Sequence, residues 1–413
     1  MPETSLIYRN VNQIEKIRQN IRHKPPSICG ILLALFIVAL PFTRDLSGLN
    51  LVVFSIFFLS YLFFAKELRS IPTSLLAFCL FSILYAILSL LNVFPATWTS
   101  HYEIGAIPQQ ALYAYSLPPI FGVTYIYLKE HLSTERGRID IAKKLLIAWI
   151  YLQCIGVFFS ENEIDVLSIL SISTLGNTPS LAIVATCIYL STNPSAHKKY
   201  AVIALFIGLS LLSTFSQNFV YALAFVLIWS FPKYSRILTI SIVVFSVILY
   251  IAFYNNPFGV RFVDTNLTVR LLLLHDAISG LIQSYFIGVG FGTESISNDY
   301  SNFGVDIFRS EDDTGFIHLA VHNSFATIAF RVGFAGFVIF LYFLTRTFSK
   351  IRLSKTKCEA QTKYALFLAF FVLLYTNPAL ESFIYMYGAS LYLATIWSFP
   401  ERIAKSIPKY RAL

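Results

Sequence analysis

The chain has 413 residues, 56% of them hydrophobic and only 13% charged, with 39 Phe and 24 Tyr. A soluble globular domain carries about a quarter charged residues, so the composition excludes an ordinary soluble enzyme. The formal net charge of +9 asks whether the basic residues form a nucleic-acid patch or sort by side of a membrane.

Apolar runs close to the roughly 20 residues a membrane helix needs recur from end to end. Unbroken runs of this kind exclude the alternation of a β-barrel. The sequence therefore predicts an all-α fold, a polytopic transmembrane helical bundle. In chain order, a basic segment at 1–27 precedes the first span at 28–43. No small-residue cleavage site follows that run, which is read as a retained helix and not a cleaved signal peptide. Further spans are expected at 46–65, 72–92, 111–128, 143–160, 178–193, 199–215, 217–232 and 236–254. A long loop at 255–322 comes next, then spans at 323–345, 362–377 and 383–399, and a basic tail at 400–413. That makes 12 spans with both termini on one side.

Charge tests this order, because short cytoplasmic loops collect Lys and Arg. With both termini inside, every lysine is cytoplasmic, and Arg44, Arg261, Arg270, Arg309 and Arg331 are the basic residues left elsewhere. Of the 22 acids, 14 fall on the outer side. The positive balance is an orientation signal, with no nucleic-acid partner implied. The five cysteines, Cys29, Cys79, Cys154, Cys187 and Cys358, are scattered and show neither disulfide nor metal-ligand spacing. No internal repeat of the kind seen in many secondary transporters is visible.

The loop at 255–322 is the long outer segment, and long loops in compact proteins usually bind or react. It holds no lysine, three arginines and three of the seven histidines. A helix is predicted through about Gln283, capped by Thr265 or Asn266, with Leu267, Leu271, Leu274, Ile278 and Leu281 as its apolar stripe. Arg270 is expected in its first turn, without an acidic partner four residues on, and is free to grip a phosphate or to snorkel among lipid headgroups. "GVGFG", with glycines at 288, 290 and 292, signals a tight backbone turn. Alone it does not make a nucleotide loop, which needs a strand before and a helix after.

His318 and His322 share a face if helical, but no third metal ligand accompanies them. Glu311, Asp312 and Asp313 read as a solvated loop. His322 directly precedes Asn323 and the next span, at the water–lipid boundary, and suits a general base for a sugar hydroxyl or an interfacial hydrogen bond. Arg331, one to two turns into that span, needs an acid or a polar cavity. Glu381, in "TNPALESF", is the expected partner.

The helix with an early arginine, the glycine-rich exit, the long outer loop and then "HNSF…VGFAGFVIF" together resemble the O-antigen ligase and polysaccharide polymerase family, mainly over 260–345. The resemblance implies a bacterial inner-membrane glycosyltransferase with its active site facing the periplasm. Such a protein takes a glycan from undecaprenyl diphosphate and passes it to an acceptor hydroxyl with inversion, without metal or other cofactor. By motif, His322 is the catalytic histidine, Arg270 is the diphosphate arginine with Arg261 beside it, and Gly333 and Gly336 let the following helix pack closely. One departure stands out. "LLSTFSQNFVYALAF" has Gln217 and Asn218 where members carry an arginine, so hydrogen-bond donors replace a charge there. Gln217, Asn218, Arg331, Glu381 and His318 are the secondary site candidates.

The implied partners are the lipid-linked glycan, an acceptor glycan or lipid A core, membrane lipids and a chain-length regulator. The leading expectation is a polymerase of surface polysaccharide; a ligase to lipid A core is the alternative within the family. A lipid-linked oligosaccharide transporter is the alternative from another class, and it would carry ionisable residues deep in several helices.

Overall fold

The structure, a computed structural model, describes residues 25–39, 71–95, 102, 104–158, 179–211, 216–231, 233–254, 265–293, 323–376, 380–381 and 383–401. Within these the chain is helical: α1 (Pro25–Ala39), α2 (Thr73–Leu90), a 3-10 turn (Ile104–Ala106), α3 (Ile107–Gln110), α4 (Leu112–His131), α5 (Glu135–Phe158), α6 (Pro179–Leu190), α7 (Ala196–Leu211), α8 (Ser216–Ser230), α9 (Ser235–Tyr254), α10 (Thr265–Gln283), α11 (Ser324–Ile351), α12 (Lys357–Thr376) and α13 (Phe383–Ser398). Two isolated β-bridges, Tyr102 with Thr293 and Ser354 with Glu401, are the only extended pairings among the described residues. A helix covers each expected span except 46–65, which lies outside the described residues. Of these helices α2 and α11 are long and apolar enough to cross a membrane on their own.

Three helices form the interior. α12 is buried without a break from Gln361 to Leu374, and α13 from Met386 to Ile396; from Tyr364 on in α12, and through most of α13, the residues are apolar on every face and leave no side for solvent. α4 packs closely against α13, with Ser116 Oγ 2.8 Å from Met386 Sδ and Ser398 Oγ donating to the Tyr125 carbonyl at 3.3 Å. α11 leans on α2, α10 and α12, and Phe78 stacks on Tyr113 at 5.3 Å and meets Phe340 at 4.9 Å. The outer helices are inside-out by the standard of a soluble protein. α2 turns Leu80, Leu84, Ile87 and Leu91 outward, and α9 turns out Ile237, Ile240, Val244, Val247 and Ile248. Apolar stripes of this extent mark a surface that is covered by something other than water.

One end of the bundle is tied by Arg138. Its Nε donates to the carbonyl of Leu132 at 2.9 Å, one Nη to that of Ser191 at 3.3 Å, and the other Nη to Glu359 at 2.5 Å. The second Glu359 oxygen accepts from the backbone of Lys355 and Thr356, while Thr356 Oγ1 accepts from the Glu359 nitrogen. This capping box starts α12 five residues before the apolar run expected at 362. The ends of α4 and α6 and the start of α12 thus meet at one guanidinium. By helix order, the lysines of the described residues fall in or beside the helix ends on this side. The cysteines are all free, with Cys29, Cys79 and Cys187 buried.

Candidate functional site

Away from this junction the chain at 284–293, directly after α10, folds over a break in α11. Gly333 has φ 70 and ψ −175, so α11 is two helical halves joined at one residue. A helix broken there frees backbone carbonyls and N–H groups that need partners in an apolar setting. The segment after α10 meets three of them. Val289 N donates to the Phe330 carbonyl at 2.8 Å, Gly290 N to the Arg331 carbonyl at 3.0 Å, and Phe334 N to the Phe286 carbonyl at 2.9 Å. Gly288 (φ 94) lies against the break, where a Cβ would stand 2.9 Å from the Arg331 carbonyl and collide with the Gly333 backbone.

The same segment is fastened elsewhere by side chains. Ser89 Oγ accepts from Phe291 N at 2.7 Å, Gln110 Oε1 from Gly292 N at 2.6 Å, and Tyr85 donates to the Ile287 carbonyl at 2.9 Å. Tyr102 donates its hydroxyl to the Ser89 carbonyl. Tyr285 and Phe286, both at positive φ, turn outward at 79% and 55% exposure, a placement that suits aromatic rings at a membrane interface.

Arg331 closes the arrangement. It is 2% exposed and Glu381 7%, and its Nε lies 3.4 Å from Glu381 Oε1. One Nη donates to both the carbonyl and Oγ1 of Thr293, each at 2.6 Å, while Gln110 Nε2 donates to that carbonyl at 3.2 Å. The guanidinium also faces the Phe330 ring at 5.1 Å. Burial pushes the Glu381 carboxyl up from the ordinary carboxylate range, and the adjacent Arg331 opposes that shift. The pair thus joins the glycine segment, α11 and the α12–α13 connection.

The expected site residues fall into two groups. Arg331 and Glu381 meet, as their charges require. Arg270 lies in α10, in the second turn and not in the first, because the helix already starts at Thr265. Gln217 and Asn218 lie in the first turn of α8. His322, His318 and Arg261 lie outside the described residues. Asn323, the next residue after His322, caps α11: its side-chain oxygen accepts from Phe325 N at 3.0 Å and Ala326 N at 3.1 Å. The "HNS" run alone carried the signal for this cap, an Asn directly before an apolar helix.

Gly333 serves differently from its expected packing role. It is the break itself, whereas Gly336 does sit in close packing, 3.2 Å from Phe81 by a built Cβ. The "GVGFG" run is likewise a clasp on a broken helix, with its backbone donors taken by the Phe330 and Arg331 carbonyls, the Ser284 and Ser89 hydroxyls and Gln110 Oε1.

A groove of about 720 Å³ lies between α9, α10, α11 and α12. Its wall is apolar, with Val244, Leu274, Ile278, Phe337 and Phe371, and it extends from Asn323 at one end of α11 to Arg352 at the other. At about 1.5 Å per residue that is the full length of a membrane-crossing helix. Compared with known proteins, the chain matches no family model and no curated protein.

Proposed function

We propose that the protein is a membrane-embedded, inverting glycosyltransferase of the cell envelope that polymerises surface polysaccharide from an undecaprenyl-diphosphate-linked donor, working at the periplasmic face of the bacterial inner membrane through 12 spans. The observation that carries this reading is the placement of the groove. It is apolar along the whole of α11, its upper end is Asn323, and one wall is α10, the helix that carries Arg270. A long isoprenoid chain fits such a groove by burying apolar surface. Its diphosphate would then emerge where His322 and Arg270 stand in the sequence. The outward apolar stripes of α2 and α9 and, by helix order, the lysines at the helix ends on the Arg138 side support the membrane placement.

The chemistry is a single displacement. The acceptor hydroxyl oxygen attacks the anomeric carbon, the carbon–oxygen bond to diphosphate breaks, and the diphosphate leaves with the electron pair. His322 takes the hydroxyl proton. Arg270 and Arg261 neutralise charge growing on the leaving group, with hydrogen bonds from Gln217 or Asn218. Diphosphate is a competent leaving group, so positioning and charge suffice. Arg331 and Glu381 hold the end of the glycine segment, at Thr293, on α11.

The test is the envelope glycan profile of a deletion strain complemented with wild type or His322→Ala. Accumulation of single repeat units on the lipid carrier, unrelieved by His322→Ala, supports polymerisation. Long chains accumulating on undecaprenyl diphosphate would reassign the protein as a ligase. Normal surface chains with inserted His322→Ala protein would end the proposal.

A further inference from the structure

A second cavity lies far from this site, between α1, α4, α5 and α13, with a volume of about 350 Å³. Leu33, Ala148 and Leu391 represent its apolar wall. It extends along α5 from Ile141 to Tyr151, about 15 Å at 1.5 Å per residue. Around it α1 and α5 turn Ile31, Leu35, Ile147 and Ile150 outward, so its surroundings are the apolar flank of the bundle and not a wet cleft.

Besides the tyrosines Tyr127, Tyr151 and Tyr387, two polar side chains interrupt the apolar wall. Lys144 is exposed, approaches the Tyr127 hydroxyl at 3.5 Å, and has no carboxylate within ion-pair distance among the described residues. The stretch 129–144 around it carries five basic against three acidic side chains, a field that attracts anions. The second feature is Thr124. It is 1% exposed, and its Oγ1 has no hydrogen-bond partner. Helical hydroxyls elsewhere in this protein return to the carbonyl four residues back, as Ser82, Thr347 and Thr395 do. Thr124 does not, and an unsatisfied buried hydroxyl costs about 1–3 kcal/mol. It lies one helical turn from Tyr127, and so close to the level of Lys144.

We propose that this cavity is a binding site for an anionic glycerophospholipid, with an acyl chain in the cavity, the phosphate on Lys144 and a glycerol-ester carbonyl accepting from Thr124. The three features select this occupant jointly. A free phosphate leaves the apolar space unfilled. A neutral lipid gives Lys144 nothing to neutralise. An isoprenoid phosphate has no ester carbonyl to meet Thr124, which lies where an ester falls, one short step from the phosphate. The inference rests on the membrane reading above and is independent of the glycosyl-transfer chemistry.

The full chain in nanodiscs provides the test. Phosphatidylglycerol is expected to raise the melting temperature of wild type relative to phosphatidylcholine of the same chains. Lys144→Gln at the exposed cation, and Ala148→Trp, which fills the cavity with the charge intact, should each remove most of that rise. Ether-linked phosphatidylglycerol, which lacks the carbonyl, should stabilise wild type less than the ester lipid, and Thr124→Val should respond equally to both. An equal response of wild type and Lys144→Gln to phosphatidylglycerol, or of ester and ether lipids on wild type, overturns the site. Release of the protein from membranes by alkaline carbonate without detergent would instead overturn the membrane reading itself.

Discussion

Gly288 and Gly333 pack against one another's segments, both with positive φ: a Cβ on Gly288 would collide with the Gly333 backbone, and one on Gly333 with the carbonyls of Ile287 and Phe286 just before Gly288. The contact lets the segment after α10 satisfy the backbone groups that the break in α11 exposes. Left-handed backbone costs an L-residue about 1–2 kcal/mol, and here a Cβ also meets backbone that cannot move aside. Gly333→Ala is therefore expected to lower folded yield in detergent sharply, and Gly288→Ala likewise. A control such as Gly208→Ala, where a Cβ meets nothing within 4 Å, should leave yield unchanged. Equal yields across the three would show that the break is not obligatory.

Arg331 and Glu381 should behave as a unit. Removing one partner of a buried pair strands the other charge, at about 3–5 kcal/mol. Arg331→Met and Glu381→Leu should each reduce the monodisperse fraction by size exclusion, and the double variant should recover much of it. The charge-swapped pair should recover less, because a carboxylate at 331 cannot donate to the Thr293 carbonyl. Additive losses in the double variant would mean that the two side chains act separately.

Asn323→Ala removes the acceptor for two backbone donors and should cost about 0.5–2 kcal/mol, measured as a lower melting temperature. Asn323→Asp keeps the acceptor and should retain most of the stability. Because Asn323 also stands at the head of the groove, a loss of glycan extension in Asn323→Asp at full stability would reveal a second role, in donor binding.

Arg270→Lys tests diphosphate recognition. Lysine keeps the charge and loses the planar fork, so glycan extension should fall markedly while insertion and stability hold. Full activity would show that Arg270 acts only as a point charge.

His131 reports on the opposite end of the bundle. Burial and then Lys144 lower its pKa from 6.5, against Glu130 and Asp140, which raise it. Below pH 6.5 the unfolded chain takes up a proton that the folded protein resists, so stability is complete above 6.5 and falls as pH drops through it. Melting curves from pH 7.5 to 5.5 should show this loss, and His131→Gln should flatten it. Lys144→Gln should weaken it, because the remaining acids then favour the protonated ring.

Much of the bundle was legible in the chain because its cause is one-dimensional. An apolar run near membrane length must be helical to satisfy its own backbone, wherever it packs. Lysines report the side of a loop without any contact being known. The Arg331–Glu381 pair was legible for a related reason: a buried charge leaves few partners to choose from. What the sequence could not show is which helices would be innermost: α2 is the more apolar yet keeps an exposed face, whereas α4 and α12 are less apolar and buried, and only packing decides that.

The glycines are the clearest division. Their spacing in "GVGFG" and "RVGFAG" showed that the backbone must do something unusual in both places. Only the tertiary structure joins them: a break at Gly333 leaves carbonyls unpaired, and a glycine-rich segment 40-odd residues earlier in the chain comes close enough to satisfy them. The helices and the Arg331–Glu381 pair were legible in the sequence alone. The clasp, the groove beside it and the second cavity were decided by packing, because each is a space between segments that no single segment encodes.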